Sequence, residues 1–219
     1  MFVKELEEAL LEHRIDIAVH SAKDMTAADP DGLVVGAYLQ RDDPRDALVG
    51  ADAIRPGMRI GTASVRRKAQ LLAAEPTLSI EPLRGNIDTR LRKRTERGLD
   101  AVVLAACGLD RLGLAREIGK RFEPDELLPE AAQGALALQV RAGDEHLVAA
   151  ADHEETRRRV EAERATVAAV GGGCLAPVAA HHDGTILTAL IAAEDGSWLE
   201  RRTGDDPAAL GRELAALDR

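Results

Sequence analysis

Three short apolar runs between residues 58 and 105, two of them opening directly into a polar helix start, constrain this chain more than anything else in it. Met58 to Thr62 leads into Ser64-Val65-Arg66-Arg67, Leu78 to Leu83 leads into Arg84-Gly85-Asn86, and Asp100 to Ala105 is apolar almost throughout. A nearly continuous apolar run of that length is what a strand buried on both faces requires. Alternation of such strands with helices implies βαβ crossovers, and so an α/β layer architecture. Ser64 is placed to cap a helix running through Leu72, and Gly85-Asn86 opens another that carries Ile87, Leu91 and Thr95.

The flanking sequence reads as further units on the same plan. Phe2, Leu6, Ala9 and Leu10 recur at helical spacing, predicting a helix from Phe2 to His13. Ile15-Asp16-Ile17-Ala18-Val19 reads as a buried strand, His20-Ser21-Ala22-Lys23-Asp24 follows it, and Asp29-Pro30-Asp31-Gly32 is a turn. Leu33 to Leu39 is a second strand. Arg41-Asp42-Asp43-Pro44-Arg45-Asp46 then breaks the pattern, and its charge and proline predict an exposed crossover with a hinge. A second connection begins at Leu128-Pro129, and Gly134 to Val140 reads as a strand returning to the first unit. A helix from about His153 to Val170 is ended by Gly171-Gly172-Gly173, and the remainder reads as three short strands and a terminal helix, a small α+β unit.

Composition limits the function classes. Aromatic residues make up 2% of a chain that is 45% hydrophobic, so the core is built from Leu, Ile, Val and Ala. A net charge of -9 argues against nucleic acid or a membrane surface as the partner of the whole chain. Apolar runs are too short to cross a bilayer and no leader pattern is visible, so a cytoplasmic protein is expected. Cys107 and Cys174 lie far apart without metal-type spacing, which argues against a disulfide framework. Cys107, after an apolar strand, reads as core packing. His181-His182 is expected in a solvent-facing turn rather than at a metal, since adjacent residues rarely share a face.

The candidate chemistry lies where strands end. Ligands of open α/β sheets bind outside the carboxyl ends of the strands, and helix starts bind anions through free N–H groups and the helix dipole. Here two such starts also carry arginine: Arg66 and Arg67 at one, Arg84 and Arg90 at the other. Neighbouring positions on a helix splay, so Arg66 and Arg67 need not face the same ligand. Cations gathered in one cleft need anions to balance them, and with Lys23 this set predicts a polyanionic ligand. Gly85 would let backbone approach that ligand closely. Asp24 would be the sole acid in the pocket, kept ionised by the cations around it. A cation-lined two-lobed cleft is also what a non-catalytic binding module for a small dicarboxylate would need. A phosphate-ester enzyme would be expected to show a Gly-x-x-x-x-Gly-Lys loop, which this sequence lacks.

Four motifs, in order, go further: His20-Ser21-Ala22-Lys23-Asp24, Gly61-Thr62-Ala63-Ser64-Val65-Arg66-Arg67, Leu83-Arg84-Gly85-Asn86-Ile87-Asp88-Thr89-Arg90 and Gly171-Gly172-Gly173-Cys174. Together they resemble the porphobilinogen deaminase family over nearly the whole chain. The resemblance implies an α/β fold with two periplasmic-binding-protein-like domains of mixed, mainly parallel sheets, residues 1–40 with 134–153 and residues 44–130. A small α+β domain, residues 157–219, completes it.

It implies a transferase, hydroxymethylbilane synthase, that condenses four porphobilinogen molecules and releases ammonia, on the way to haem and other tetrapyrroles. Its partners would be porphobilinogen, which bears an acetate, a propionate and an aminomethyl group, and the polypyrrole intermediates; no nucleic acid or membrane is implied, and a monomer is expected. By the same resemblance Asp24 stabilises positive charge on the substrate pyrroles, and Cys174 carries a covalent dipyrromethane cofactor through a thioether. Ser21, Lys23, Thr62, Ser64, Arg66, Arg67, Arg84, Gly85, Asn86, Arg90 and Gln133 contact substrate or cofactor, and no metal is implied. Family members carry a further strand, helix and glycine-rich loop ahead of the segment that here begins at Phe2, and run on past Arg219. The expectation is therefore a shortened member without the arginine- and serine-containing carboxylate site of that leading segment.

Overall fold

The structure is a computed structural model that describes residues 2–26, 29–171 and 177–217. In chain order the elements are α1 (Phe2–Leu11), β1 (Ala18–Ser21), β2 (Leu33–Tyr38), β3 (Asp46–Val49), β4 (Arg59–Gly61), α2 (Val65–Ala74), β5 (Ser79–Glu81), α3 (Ile87–Glu96) and β6 (Ala101–Ala105). There follow α4 (Ala106–Arg111), β7 (Ile118–Arg121), β8 (Leu136–Arg141), α5 (Glu154–Val170), β9 (Val178–His182), β10 (Leu187–Ala192), β11 (Leu199–Gly204) and α6 (Pro207–Ala215).

The described strands form three sheets, ordered β1-β8-β2, β5-β4-β6-β3-β7 and β11-β10-β9. The chain leaves the first sheet after β2, builds the second, and returns through β8, which pairs antiparallel with both β1 and β2. Parallel pairing is confined to the second sheet, where β4 runs parallel to β5 and β6. There β3 lies antiparallel to β6 and β7. The result is the mixed α/β class that the sequence predicts, but the sheets are not mainly parallel as the resemblance implies, because β8 and β3 each enter antiparallel to both of their neighbours. A small antiparallel meander follows, with α5 and α6 against it.

The second sheet is covered on both faces by aliphatic clusters. Leu48, Ile60, Leu71 and Val103 lie on one side; Val49, Leu83, Val102 and Leu109 lie on the other. Buried area of this kind contributes about 25 cal/mol per Å², and with so few aromatics many aliphatic side chains share the task.

Two sequence expectations are corrected here. The first strand begins at Ala18, and its inward positions are Ala18 and His20; Val19 is 56% exposed and Ile17 is also exposed. Side chains alternate along a strand, so burying His20 against Gln139, at 3.0 Å, turns the larger apolar residues outward. His181 and His182 are not in a turn: both belong to β9, and His181 is buried beside Glu163, with Nδ1 3.3 Å from Oε1.

The two connections between the first and second sheets touch each other. Asp42 donates its N–H to Gly134 O at 3.2 Å. Gly134 sits at φ 91°, where a Cβ would lie 2.6 Å from Asp42 O, so only glycine permits the approach. Arg111 ties both strands of this link, donating to Asp42 Oδ2 at 2.8 Å and to Gly134 O at 2.9 Å.

Candidate active site

The carboxyl ends of β4, β5 and β6 lie along one edge of the second sheet. Each leads into a helix, and two of those helix starts are polar. Thr62 Oγ1 accepts the Ser64 N–H at 3.2 Å, and Ser64 Oγ accepts the Arg67 N–H at 3.4 Å, so both hydroxyls are used to open α2. Asn86 caps α3 by accepting the Thr89 N–H at 2.9 Å. Gly85 has φ 130°, and a Cβ there would meet the Thr89 side chain at 2.6 Å. The close approach that demands glycine is thus to the helix's own first turn. Because β3 is antiparallel to β6, its first residue, Asp46, pairs with Ala105 and sits on this same edge.

Asp46 organises the basic groups. It is completely buried, as Arg66 and Arg67 nearly are, at 3% and 4% exposure. Arg66 Nη1 donates to Asp46 Oδ2 at 2.8 Å and to Leu128 O at 2.7 Å. Arg67 donates to Asp46 Oδ1 from Nε at 3.0 Å and Nη2 at 2.7 Å, and to Val103 O from Nη1 at 3.2 Å. Gln133 Nε2 donates to the same Oδ1 at 2.9 Å, and its Oε1 accepts from Lys23 Nζ at 3.3 Å. Together the two guanidinium groups hold the Asp46 carboxyl well below the usual carboxylate range, against the pull of burial.

The expectation that Arg66 and Arg67 splay is therefore corrected: both reach one carboxylate. The crossover that read as exposed supplies that carboxylate, since residues 47–49 of the same strand are buried too. Asp46 is the residue that sequence reasoning missed. Its available signal was its place immediately before the apolar run Ala47-Leu48-Val49.

Not every donor is satisfied. Nε and Nη2 of Arg66 and Nε of Arg90 are buried without a hydrogen-bond partner among the described residues. Burial and the nearby Arg67 charge lower the Arg90 pKa, with Asp24 opposing them. Arg84 is exposed, and Lys93 Nζ donates to its carbonyl at 3.1 Å. Lys23 has a distant carboxylate neighbour, Glu130, at 3.8 Å.

Ser21 ends β1, and Lys23 and Asp24 lie in the single 3₁₀ turn that follows. The Asp24 side chain reaches solvent, yet it sits where protein surrounds it on several sides, and this desolvation raises its pKa above the ordinary value. Lys23, Arg90 and His20 oppose the rise and Glu130 adds to it. Two expectations change: Asp24 is not the sole acid, since Glu130 stands nearby, and the cations do not outweigh its desolvation. Cys107 is buried, as expected, and burial pushes its thiol up. Cys174 lies outside the described residues.

Fold and site define an α/β protein of three sheets in which Lys23 and Arg90 act on a partly desolvated carboxylate, Asp24. Family models identify it further: the porphobilinogen deaminase dipyromethane cofactor binding domain matches residues 1–149, and the porphobilinogen deaminase C-terminal domain matches residues 157–217. Porphobilinogen deaminases of Bacillus velezensis and Bacillus subtilis are each 46% identical over 99% of this chain and 74% of their own length. That of Thermus thermophilus is 48% identical over 90% of this chain and 69% of its own. The chain belongs to the porphobilinogen deaminase family, whose function is hydroxymethylbilane synthesis, a transferase reaction of tetrapyrrole biosynthesis. Among the described residues no helix is long and apolar enough to cross a membrane.

Proposed function

We propose that this chain condenses porphobilinogen with Asp24 as its catalytic carboxylate, Cys174 as the attachment point of a dipyrromethane, and Lys23, Arg84 and Arg90 as carboxylate-binding cations. The observation that carries the reading is the placement of Asp24 on a turn beside Lys23 and Arg90, with the buried Arg66 and Arg90 donors unpartnered. The first and second sheets serve as the lobes of the cleft, and the third belongs to the domain that presents the cysteine.

The donor set fits the group. Arg84 and Arg90, which have no carboxylate at ion-pair distance among the described residues, and Lys23, whose one such neighbour is Glu130 at 3.8 Å, can bind carboxylates through charge-assisted hydrogen bonds, and a dipyrromethane derived from porphobilinogen carries several. When bound it supplies the terminal pyrrole whose free α-carbon is extended. Asp24 holds the pyrrole N–H of the incoming porphobilinogen as its C–N bond breaks. The aminomethyl group leaves from its ammonium form, the bonding pair going with the nitrogen as ammonia, and the carboxylate stabilises the positive charge left on the ring, where it develops. The same carboxylate moves a proton as each new bond forms. Asp46 and Gln133 fix Arg67 and Lys23, so that less order must be gained when substrate arrives.

The test has two parts. Intact mass of the purified chain, beside Cys174→Ser, is expected to show a surplus equal to a dipyrromethane that the variant lacks. Turnover of porphobilinogen by Asp24→Ala is expected to fall by about 10²- to 10³-fold, the usual loss for one group that stabilises developing charge. A bare mass in both proteins, or unchanged turnover in Asp24→Ala, overturns the assignment of that residue.

A further inference from the structure

A second concave site lies away from the sheet edge, between the segment after β7 and the open face of the third sheet. It is a cavity of about 580 Å³, within the roughly 300–1,000 Å³ of small-molecule pockets. Pro124 and Leu128 give it an apolar wall, and Thr188, Thr203 and Arg201 line the side formed by β10 and β11. A neighbouring hollow shares Asp125 and Arg201 with it and adds Trp198.

Its charged groups are unevenly committed. Glu123 is engaged by Arg45 Nη1 at 2.5 Å, and Asp183 Oδ1 accepts the N–H groups of Thr185 and Ile186 at 2.7 and 2.9 Å. Arg201 is half-buried and donates to the Asp125 backbone carbonyl at 3.0 Å, with no carboxylate at ion-pair distance among the described residues. Burial lowers its pKa and the Asp125 charge only partly opposes this. The Asp125 carboxylate is exposed and accepts no hydrogen bond among the described residues. One guanidinium and one carboxylate thus stand open beside two threonine hydroxyls and an apolar wall. A pure anion would meet Asp125, and a pure cation would meet Arg201. The chemistry suits a compact molecule with a carboxylate at one end, an ammonium at the other and a flat body between.

We propose that this cavity is a second, non-reacting site for porphobilinogen, with a carboxylate on Arg201, Thr188 and Thr203 and the aminomethyl ammonium toward Asp125. The proposal rests on the reading of this chain as a porphobilinogen enzyme, since that reading supplies the ligand. Because the site joins the second sheet's outgoing segment to the third sheet, its occupant ties those two parts together.

Trp198, the sole tryptophan, adjoins the cavity and reports on it. The experiment titrates porphobilinogen into the purified chain and into Asp24→Ala, following Trp198 fluorescence; the Asp24→Ala protein removes turnover as a source of signal. A saturable change is expected in both, with affinity at least tenfold weaker in Arg201→Ala and clearly weaker in Thr203→Val, whose residue is exposed and whose loss leaves the sheet intact. Succinate, which lacks the ammonium, and methylamine, which lacks the carboxylate, are expected to give no saturable change. Turnover at low substrate is expected to be equal in Arg201→Ala and the parent. No saturable change, equal affinity in both cavity variants, or equal response to succinate overturns the proposal. Intact turnover with no Trp198 response removes the cavity site and leaves the cleft reading standing; a Trp198 response dependent on Arg201 without turnover does the reverse.

Discussion

Arg41 grips Glu163 through both ends of its guanidinium, Nη1 to Oε1 at 2.6 Å and Nη2 to Oε2 at 3.0 Å, and the carboxylate is completely buried. The pair joins the crossover after β2 to the middle of α5. Arg41 Nε also donates to Gln133 O at 2.8 Å, while Glu163 accepts the N–H groups of Ala132 and His182, each at 2.7 Å. Both connections between the first and second sheets and the first strand of the third sheet therefore converge on one carboxylate. A buried ion pair is weak evidence of net stability, because desolvation offsets its attraction, but removing one partner strands the other.

Glu163→Gln is accordingly expected to destabilise the chain by about 3–5 kcal/mol, lowering Tm by about 2–4 °C for each kcal/mol in a chain of this size. The pH dependence carries a sign. Arg41 and His181 hold the Glu163 carboxyl below its ordinary value despite burial. A lowered carboxyl adds stability above the unfolded pKa of about 4.3 and loses it as pH falls through the folded value. Tm measured from pH 7 downward should fall more gently below that point in Glu163→Gln than in the parent. Equal slopes would remove Glu163 from the account of acid unfolding.

Asp46→Asn makes a related prediction at the sheet edge. The substitution leaves Arg66 and Arg67 buried with no carboxylate at ion-pair distance, so about 3–5 kcal/mol is expected to be lost, read from denaturant midpoints. Arg67→Met, which leaves Arg66 on Asp46, should cost less. A larger loss in Arg67→Met would show that the carboxylate is not the hub.

Much of the fold is readable from the chain because its signals are local. The Ser64 and Asn86 caps, the apolar run of β6 and the returning strand β8 each declare themselves within a few residues. What was not readable depends on partners distant in sequence. Asp46 looks like one more charge in Arg41-Asp42-Asp43-Pro44-Arg45-Asp46 until Arg66 and Arg67 fold onto it. His181 reads as a turn residue until Glu163, on another element, makes its burial tolerable. Ile17 and Val19 read as core because hydrophobicity was weighed without knowing which strand face carries the long-range contact of His20. The Asp24 environment was misjudged for the same reason: charges can be counted in a sequence, whereas the desolvation that exceeds them belongs to the assembled surface.

Gly85 tests the helix start. Alanine there must adopt φ 130° and place its Cβ against Thr89 Cγ2. Gly85→Ala should destabilise by more than about 1 kcal/mol, the upper range of the gain such a change brings where the backbone permits it. Gly85→Ala with Thr89→Ala removes the collision but not the backbone strain, so it should recover part of the loss in denaturant unfolding. Full recovery would mean that φ is not constrained, and none would mean that Thr89 is not the obstacle.

Glu130 provides the sharpest test of the Asp24 assignment, because it acts on that carboxyl through space. Its negative charge adds to the rise in the Asp24 pKa that desolvation causes, while Lys23 opposes it. A general base or stabilising carboxylate works in its ionised form, so activity should fall on the acid side as Asp24 takes up its proton, at a pH above the ordinary aspartate value of about 3.9. Glu130→Gln removes a like charge and should move the acid limb of kcat/KM to lower pH while leaving the plateau largely unchanged. The opposing control is Lys23→Met, which removes a cation and should move the limb upward, with a rise in KM as well because Lys23 also binds substrate. The measurement is kcat/KM for porphobilinogen in all three proteins, from about pH 4, near the ordinary aspartate value, upward. An acid limb that stays fixed in Glu130→Gln would mean that the titrating group is not Asp24, whereas opposite shifts in the two variants would tie the limb to the carboxyl on which both charges act.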